Sequence, residues 1–278
     1  MTGNRGVIGQ QLYKKLIYDG YTVVGSRRLL QKPIKGIDEV VLSPWSIIDL
    51  GGFQPDFIIH LAGYYAKTLQ NQEIRKITDA NVGLAASLAD LLLKLKVSVI
   101  STGSYSEKYS GPEGINYYAA TKIAGKALLA EAALIARASL DYVYLYDTYS
   151  TDTSRNKFID RLLKLKKNSP PLLAGDENQI IDLVYIPDIV QNYIKLLSPD
   201  RIKTQLYNEW QIRTGDVLTL RQVAGIVGDI RGFELPISWN QLKVNRSNTN
   251  ELWDCAPYLN DKAATHTLYE GLSKIISK

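Results

Sequence analysis

Five short runs rich in Val, Ile and Tyr punctuate the first half of this chain: YTVVGS (21–26), EVVL (39–42), DFIIHL (56–61), VSVIST (97–102) and YVYLY (142–146). Helically spaced stretches lie among them, notably 70–95 and 116–138. Runs this continuously apolar have no face to offer solvent, so each must be covered on both sides. Alternation with helices then predicts an α/β fold, a doubly wound parallel sheet.

Past about residue 148 the rhythm loosens into polar, Pro-containing stretches (SPPLLAGDENQ, RGFELPISWNQ) mixed with short helices. The expected division is a sheet domain over 1–147, with 180–200 returning to it, and a smaller lobe built mainly from 148–278. A chain of 278 residues, 45% of them hydrophobic, can bury one substantial core plus such a lobe. No apolar run approaches the ~18 residues of a membrane span. The first residues carry three glycines and a charge, unlike a secretory leader. A single cysteine, Cys255, excludes a disulfide framework, and two histidines leave little for a metal site, so a reducing cytoplasm is expected. The densest basic run, RLLKLKK (161–167), reads as the solvated face of a helix. No aromatic-interleaved basic stripe points to nucleic acid, and a net charge of +5 suits an anionic small substrate.

MTGNRGVIGQQL opens the chain, placing Gly3, Gly6 and Gly9 directly ahead of an apolar helical pattern. In a Rossmann-like sheet that spacing has a mechanism. One glycine allows a tight turn, another lets the backbone approach a pyrophosphate, and a third lets helix and sheet pack closely. The helix start, here Val7 and Ile8, presents unpaired N–H groups and a positive dipole end to the phosphates. The run at 21–26 ends in Ser26, followed by Arg27 and Arg28, where an NAD site would place a carboxylate. Guanidinium groups bind a 2′-phosphate bidentately, so NADP(H) is expected over NAD(H), with Arg5 a candidate third cation. Such a loop hangs off a buried strand, yet only Met1 and Thr2 precede it. In the 3-2-1-4-5-6 order that strand lies mid-sheet, and losing about four apolar side chains forfeits ~6–12 kcal/mol. The expectation is that an apolar strand belongs upstream of Met1. Otherwise the sheet shows a gap there, in a poorly stable protein with a half-built dinucleotide site.

NYYAATKIAGK carries Tyr118 and Lys122 on one face of the helix at 116–138. A phenol with an ordinary pKa near 10 is a poor acid–base group at neutral pH, and a neighbouring ammonium lowers it. Lysine can also hold the ribose hydroxyls of a cofactor. Tyr117, one residue out of register, is assigned to packing or to lining the substrate. VSVIST ends at Ser101 and Thr102, followed by Gly103 and Ser104, at the strand end that borders the ligand crevice. A hydroxyl there can polarise a substrate carbonyl, with Thr102 the first choice and Ser104 the reserve. A helix cap or a turn explains either residue equally simply.

In order and at plausible spacing, TGNRGVIG (2–9), HLAG (60–63), DANVGLAASLADLL (79–92), STGSYS (101–106), YAATK (118–122) and QIIDLVYIPDIV (179–190) resemble the extended short-chain dehydrogenase/reductases that act on nucleotide sugars, the NAD-dependent epimerase/dehydratase family. The resemblance implies that Leu61, Ala62 and Gly63 line the dinucleotide. It also implies that Asn81 shapes its helix beside the active site. YDTYSTDTSRNKFIDRLL (146–163) and LYNEWQIRTGDVLTLRQV (206–223) are most similar to nucleotide-linked 4-keto-6-deoxysugar reductases of the CDP-abequose and CDP-paratose synthase type. Arg155 and Lys157 then fall in the segment entering the substrate lobe, and Arg246 of KVNRSNTNELW on the substrate diphosphate. Tyr149, where the family's Tyr-Gly-Pro reads Tyr-Ser-Thr, and Ser104 complete the expected substrate-facing set.

Dehydratase relatives carry an Asp–Glu pair where this chain has Gly103–Ser104, so the acid and base for elimination are missing. What the resemblance implies is therefore an NADPH-dependent reductase supplying surface-polysaccharide sugars, a homodimer built through the helices at 70–95 and 116–138. A 4-epimerase retaining NAD(H), or a non-catalytic NADP(H)-binding protein on the same fold, is the alternative.

Overall fold

The computed structural model describes residues 1–66, 70–108, 116–198, 205–240, 254–259 and 265–277. Two compact units divide the chain: Met1–Ser110, Gly114–Tyr144 and Val190–Trp210 form the first, Leu145–Ile189 and Gln211–Lys278 the second.

In the first unit, α1 (Val7–Tyr18) starts directly from the glycine turn and buries Leu12 and Leu16. It is followed by β1 (Gly25–Arg27), β2 (Glu39–Val41) and β3 (Phe57–His60). The helix expected over 70–95 is α2 (Asn71–Thr78) and α3 (Leu84–Leu95), joined through a π-helical turn at Asp79–Gly83. β4 (Ser98–Ser104) leads to α4 (Tyr117–Ala136), whose first turn is capped by Asn116 accepting the Ala119 N–H. β5 (Leu140–Leu145) ends the expected alternation. β3 and β4 run parallel, in register from Phe57↔Ser98 to His60↔Ser101. Leu88, Leu92, Val99, Leu129, Ala133 and Leu140 pack a core that the α3 and α4 faces share with the sheet.

β6 (Asp147–Tyr149) opens the second unit, followed by α5 (Phe158–Lys164), β7 (Leu172–Ala174), β8 (Ile180–Ile181) and β9 (Leu183–Tyr185). α6 (Ile186–Leu196) and β10 (Tyr207–Ile212) follow, and β10 completes the first unit's sheet in the order β10-β5-β4-β3. β11 (Leu218–Thr219), α7 (Leu220–Arg231), β12 (Ile237–Trp239) and α8 (Leu268–Ile276) finish the chain. Ile159, Leu162, Val223, Val227, Leu268 and Leu272 form this unit's own core. The buried Asp182 carboxylate there accepts from Arg213 Nε, from the Thr214 N–H and hydroxyl, and from the Gly215 N–H. Burying a charge is tolerable when every lone pair is used in this way.

The sheet of the first unit is divided where its first strand should lie. Among the described residues, β1 and β2 pair only with each other, in parallel, and β3 is the edge of the four-stranded sheet. Among the described residues, Met1 and Thr2 alone stand between them. The Thr2 N–H donates to Ile59 O (2.8 Å), Thr2 O accepts from the Leu61 N–H (3.2 Å), and the Met1 amine donates to Val24 O (2.6 Å). The strand expected at 21–26 is reduced to 25–27, because residues 21–24 have no neighbouring strand to pair with among the described residues. A cavity of about 660 Å³ occupies the vacated position. Thr2 forms an isolated parallel bridge to His60 at this place.

Candidate active site

Each glycine of the opening turn has a separate steric reason. Gly3 adopts φ +74°, and a Cβ on it would lie 2.7 Å from Ala62 N and 2.8 Å from Leu61 C. A Cβ on Gly9 would collide with Gly3 O and stand 2.8 Å from Gly3 C and 2.9 Å from Asn4 Cα. Gly6 precedes α1 and provides no side chain to its first-turn N–H groups, which include those of Val7 and Ile8. A close backbone approach at an uncapped helix start is what a dinucleotide pyrophosphate needs, so these residues fit that group. The turn also abuts the segment after β3: Thr2 Oγ1 accepts from the Ala62 N–H (3.2 Å) and lies 2.7 Å from His60 Nδ1.

The cationic side of the expected dinucleotide site is weaker than the sequence implied. Arg5 is not free to meet a phosphate, since it forms a bidentate ion pair with Glu39 and also donates to Lys32 O. Burial alone would raise the Glu39 carboxyl pKa, but bonds from Arg5, the Ile34 N–H and Asn4 hold it below its usual range. Asn4 in turn accepts from the Ser26 N–H, tying the glycine turn to the end of β1. Arg27 bends back onto Gln31 O (3.1 Å). Arg28 is exposed and makes no side-chain bond among the described residues, so it is the most available of the three.

At the carboxyl end of β4, Lys122 of α4 meets Thr102. Lys122 is buried and donates from Nζ to Thr102 O at 2.5 Å. Burial lowers the pKa of its ammonium, partly countered by the nearby Glu107 carboxylate. Tyr118 lies one turn earlier on α4, its ring edge-on to Tyr65 at 5.3 Å. The Thr102 hydroxyl lies 2.5 Å from the hydroxyl of Tyr193 on α6, so it is engaged before any substrate arrives. Gly63 borders the same centre, since a Cβ on it would be 3.3 Å from Asn81 Oδ1 and 3.8 Å from Lys122 Nζ. Asn81 sits inside the π-helical turn, accepting from the Tyr64 N–H and donating to Tyr64 O and Thr121 Oγ1. A π turn places one residue outside the regular ladder, a local distortion common at functional sites. Tyr117 packs away from this centre, its hydroxyl 2.8 Å from Thr78 Oγ1.

The expected substrate-facing residues are mostly committed elsewhere. Ser104 Oγ accepts from the Ser106 N–H and hydroxyl, capping a short turn. Tyr149 is fully buried, stacked on Tyr185, with its hydroxyl against Gly271. It belongs to the core of the second unit. Arg155 donates to Thr148 Oγ1 and O, leaving its buried Nε without a partner. Lys157 is exposed and ion-paired to Asp147. Arg246 lies outside the described residues.

Sequence reasoning missed three residues at this centre. Glu107 is a buried carboxyl that accepts from the Ser104 N–H and the Tyr142 hydroxyl. Burial raises its pKa, against the pull of Lys122. The S-x-x-E spacing of Ser104 and Glu107, a capping box, was its available signal. Tyr193 and His60 carried no local signal, because their partners are distant in sequence.

A profile of the NAD dependent epimerase/dehydratase family matches residues 1–208. Two curated relatives are CDP-abequose synthases. That of Salmonella muenchen is 25% identical over 244 residues, 82% of this chain and 78% of the relative. That of Yersinia pseudotuberculosis is 25% identical over 248 residues, 85% of this chain and 86% of the relative. Among solved structures, UDP-glucuronic acid 4-epimerase from Bacillus cereus, bound to UDP-glucuronic acid and NAD, aligns with a TM-score of 0.79 at 18% identity, covering 99% of this chain and 98% of that one. UDP-glucose 4-epimerase from Thermotoga maritima, bound to UDP-glucose, aligns at 0.75 and 18% identity, over 99% and 96%. Fold, site and profile define an NAD(P)-dependent enzyme on a Rossmann-like sheet. The chain belongs to the NAD dependent epimerase/dehydratase family.

Proposed function

We propose that this enzyme reduces the C4 carbonyl of a nucleotide-linked 4-keto-6-deoxy sugar with NADPH. The observation that carries the reading is the Lys122–Thr102 contact, with Tyr118 one helical turn before Lys122. A bound nicotinamide supplies the hydride. Tyr118 delivers a proton to the developing alkoxide, Lys122 favours the phenolate left behind, and the Thr102 hydroxyl polarises the carbonyl while Tyr193 orients it. Similarity to two CDP-abequose synthases favours a 4-keto-6-deoxy sugar nucleotide. Elimination is disfavoured because Gly103 and Ser104 offer no acid–base pair, and Glu107 is turned into Tyr142 and the Ser104 N–H. NADPH over NADH rests on Arg28, with Arg27 beside it.

A 4-epimerase is the second reading, favoured by the 4-epimerases among the structural relatives. Stoichiometry separates the two. A reductase consumes one NADPH per product molecule across a panel of 4-keto sugar nucleotides, whereas an epimerase interconverts two sugars with no net change in coenzyme. Absence of turnover by protein that binds NADPH would remove the reductase reading. We also propose a homodimer, supported by Leu93 and Leu95 of α3 and Leu128, Leu134 and Ile135 of α4, all exposed in the single chain.

A further inference from the structure

Glu107 is a buried charge to which the proposed reaction gives no role. It is 5% exposed, and its Oε1 accepts from the Ser104 N–H at 2.7 Å. The Tyr142 hydroxyl donates across both of its oxygens, 3.0 Å from each. Gly103 makes room for this arrangement. A Cβ there would collide with the Tyr142 ring and lie 2.7 Å from Glu107 Oε1. The carboxylate thus rests against the backbone of Gly103. The preceding residue is Thr102, whose carbonyl oxygen receives Lys122 Nζ. Lys122 is itself only 8% exposed. A buried ammonium keeps its proton only where an opposite charge offsets its lost hydration.

The other ionisable groups around the pair do not supply that charge. His60 on β3 is neutral near pH 7, since burial lowers its pKa to about 3. Lys126, one turn later on α4, is a second cation, and it and Lys108 are both paired to Glu209 of β10. Tyr142 on β5 and Tyr193 on α6 are phenols that burial keeps protonated beyond their ordinary range. Tyr118 on α4 is the proposed proton donor. The carboxylate whose charge counters the burial of Lys122 is that of Glu107. We propose that Glu107 is a positioning residue, the buried counter-ion that keeps Lys122 an ammonium on Thr102 O, one helical turn from Tyr118. Its effect on turnover rests on the reaction proposed above, in which Lys122 favours the Tyr118 phenolate. The pairing itself is a property of the protein without coenzyme.

The charge of Lys122 can be read in coenzyme-free protein from the pH titration of its labelled Cε carbon resonance, assigned by its loss in Lys122→Arg. Glu107→Gln keeps an acceptor for the Ser104 N–H but removes the charge. It should lower the Lys122 midpoint by at least about one pH unit. Tyr142→Phe disturbs the same packing and keeps the carboxylate, so its midpoint should stay within about half a pH unit of the parent. Glu107→Asp, which also keeps the charge, should restore most of what Glu107→Gln loses. The alkaline limb of the kcat profile with NADPH should move to lower pH together with Lys122. A reciprocal measurement does not depend on Glu107→Gln folding. In Lys122→Met the Glu107 carboxyl carbon should titrate at higher pH by a similar interval, because the interaction belongs to both members of the pair. An unmoved Lys122 midpoint in Glu107→Gln, an equal fall in Tyr142→Phe, or an unmoved Glu107 midpoint in Lys122→Met would each overturn the inference. A lowered Lys122 midpoint with an unmoved kcat profile would instead overturn the part given to Lys122 in the reaction.

Discussion

Replacing Gly9 with Ala tests whether the opening turn is a dinucleotide cradle or merely a tight connection. The added Cβ would meet only backbone: Gly3 O, Gly3 C at 2.8 Å and Asn4 Cα at 2.9 Å. Carbon contacts settle near 3.5–4.0 Å, so turn and helix must separate by roughly 1 Å. Overpacking of this kind costs ~1–3 kcal/mol, against which Ala in place of Gly within a helix returns about 1 kcal/mol. The net loss of stability is then about 0–2 kcal/mol, small enough to leave a folded protein. Binding should suffer far more. Two N–H bonds to a charged phosphate, at ~1.5–3 kcal/mol each, are lost when the cradle shifts, which weakens NADPH binding by about 10²–10⁴-fold. Gly225→Ala is the control, because its Cβ would meet nothing within 4 Å on an exposed face of α7. It should raise Tm by about 2–4 °C and leave binding unchanged. Coenzyme titration by fluorescence and urea unfolding read the two effects separately. Gly9→Ala protein that binds NADPH within threefold of the parent would refute the cradle.

Tyr118→Phe should abolish turnover, by at least about 10²-fold, while NADPH affinity stays within a few-fold, since a proton donor is lost and no phosphate contact is touched. Arg28→Glu should reverse the preference between NADPH and NADH, and an unchanged ratio of kcat/KM values would place the 2′-phosphate elsewhere. Burial lowers the His60 pKa from 6.5 to about 3, helped by the Lys122 and amino-terminal charges. Below pH 6.5 the unfolded chain thus binds a proton that the folded chain refuses, and stability falls by about 1.4 kcal/mol per pH unit until about pH 3. The Met1 amine, lowered to about 6 by burial, acts in the same direction between pH 8 and 6. In His60→Gln the slope between pH 6 and 4 should flatten by about that amount, as urea unfolding at several pH values can measure.

The α/β alternation, the glycine turn and the Tyr118–Lys122 pair were all legible in the sequence, because each is a short-range pattern whose meaning follows from helical or strand periodicity. Asn81 was legible only through resemblance, since nothing in its local spacing announces a π-helical turn. Charge partners were a different matter. Arg5 and Glu39 are far apart in the chain, and only the fold brings them together and removes Arg5 from the phosphate site. Tyr149 resembled a substrate residue by position, but the packing of Tyr185 and α8 decided that it is core. The vacant strand position shows the same boundary from both sides. Strand order puts the position ahead of Gly3 between apolar neighbours. Tertiary structure alone decided how the break is accommodated. Met1 and Thr2 hold the two edges by three main-chain hydrogen bonds, and an apolar slot remains open behind them. Local patterns specify which elements form. Pairing, burial and neutralised charge depend on groups that meet only after the chain has folded.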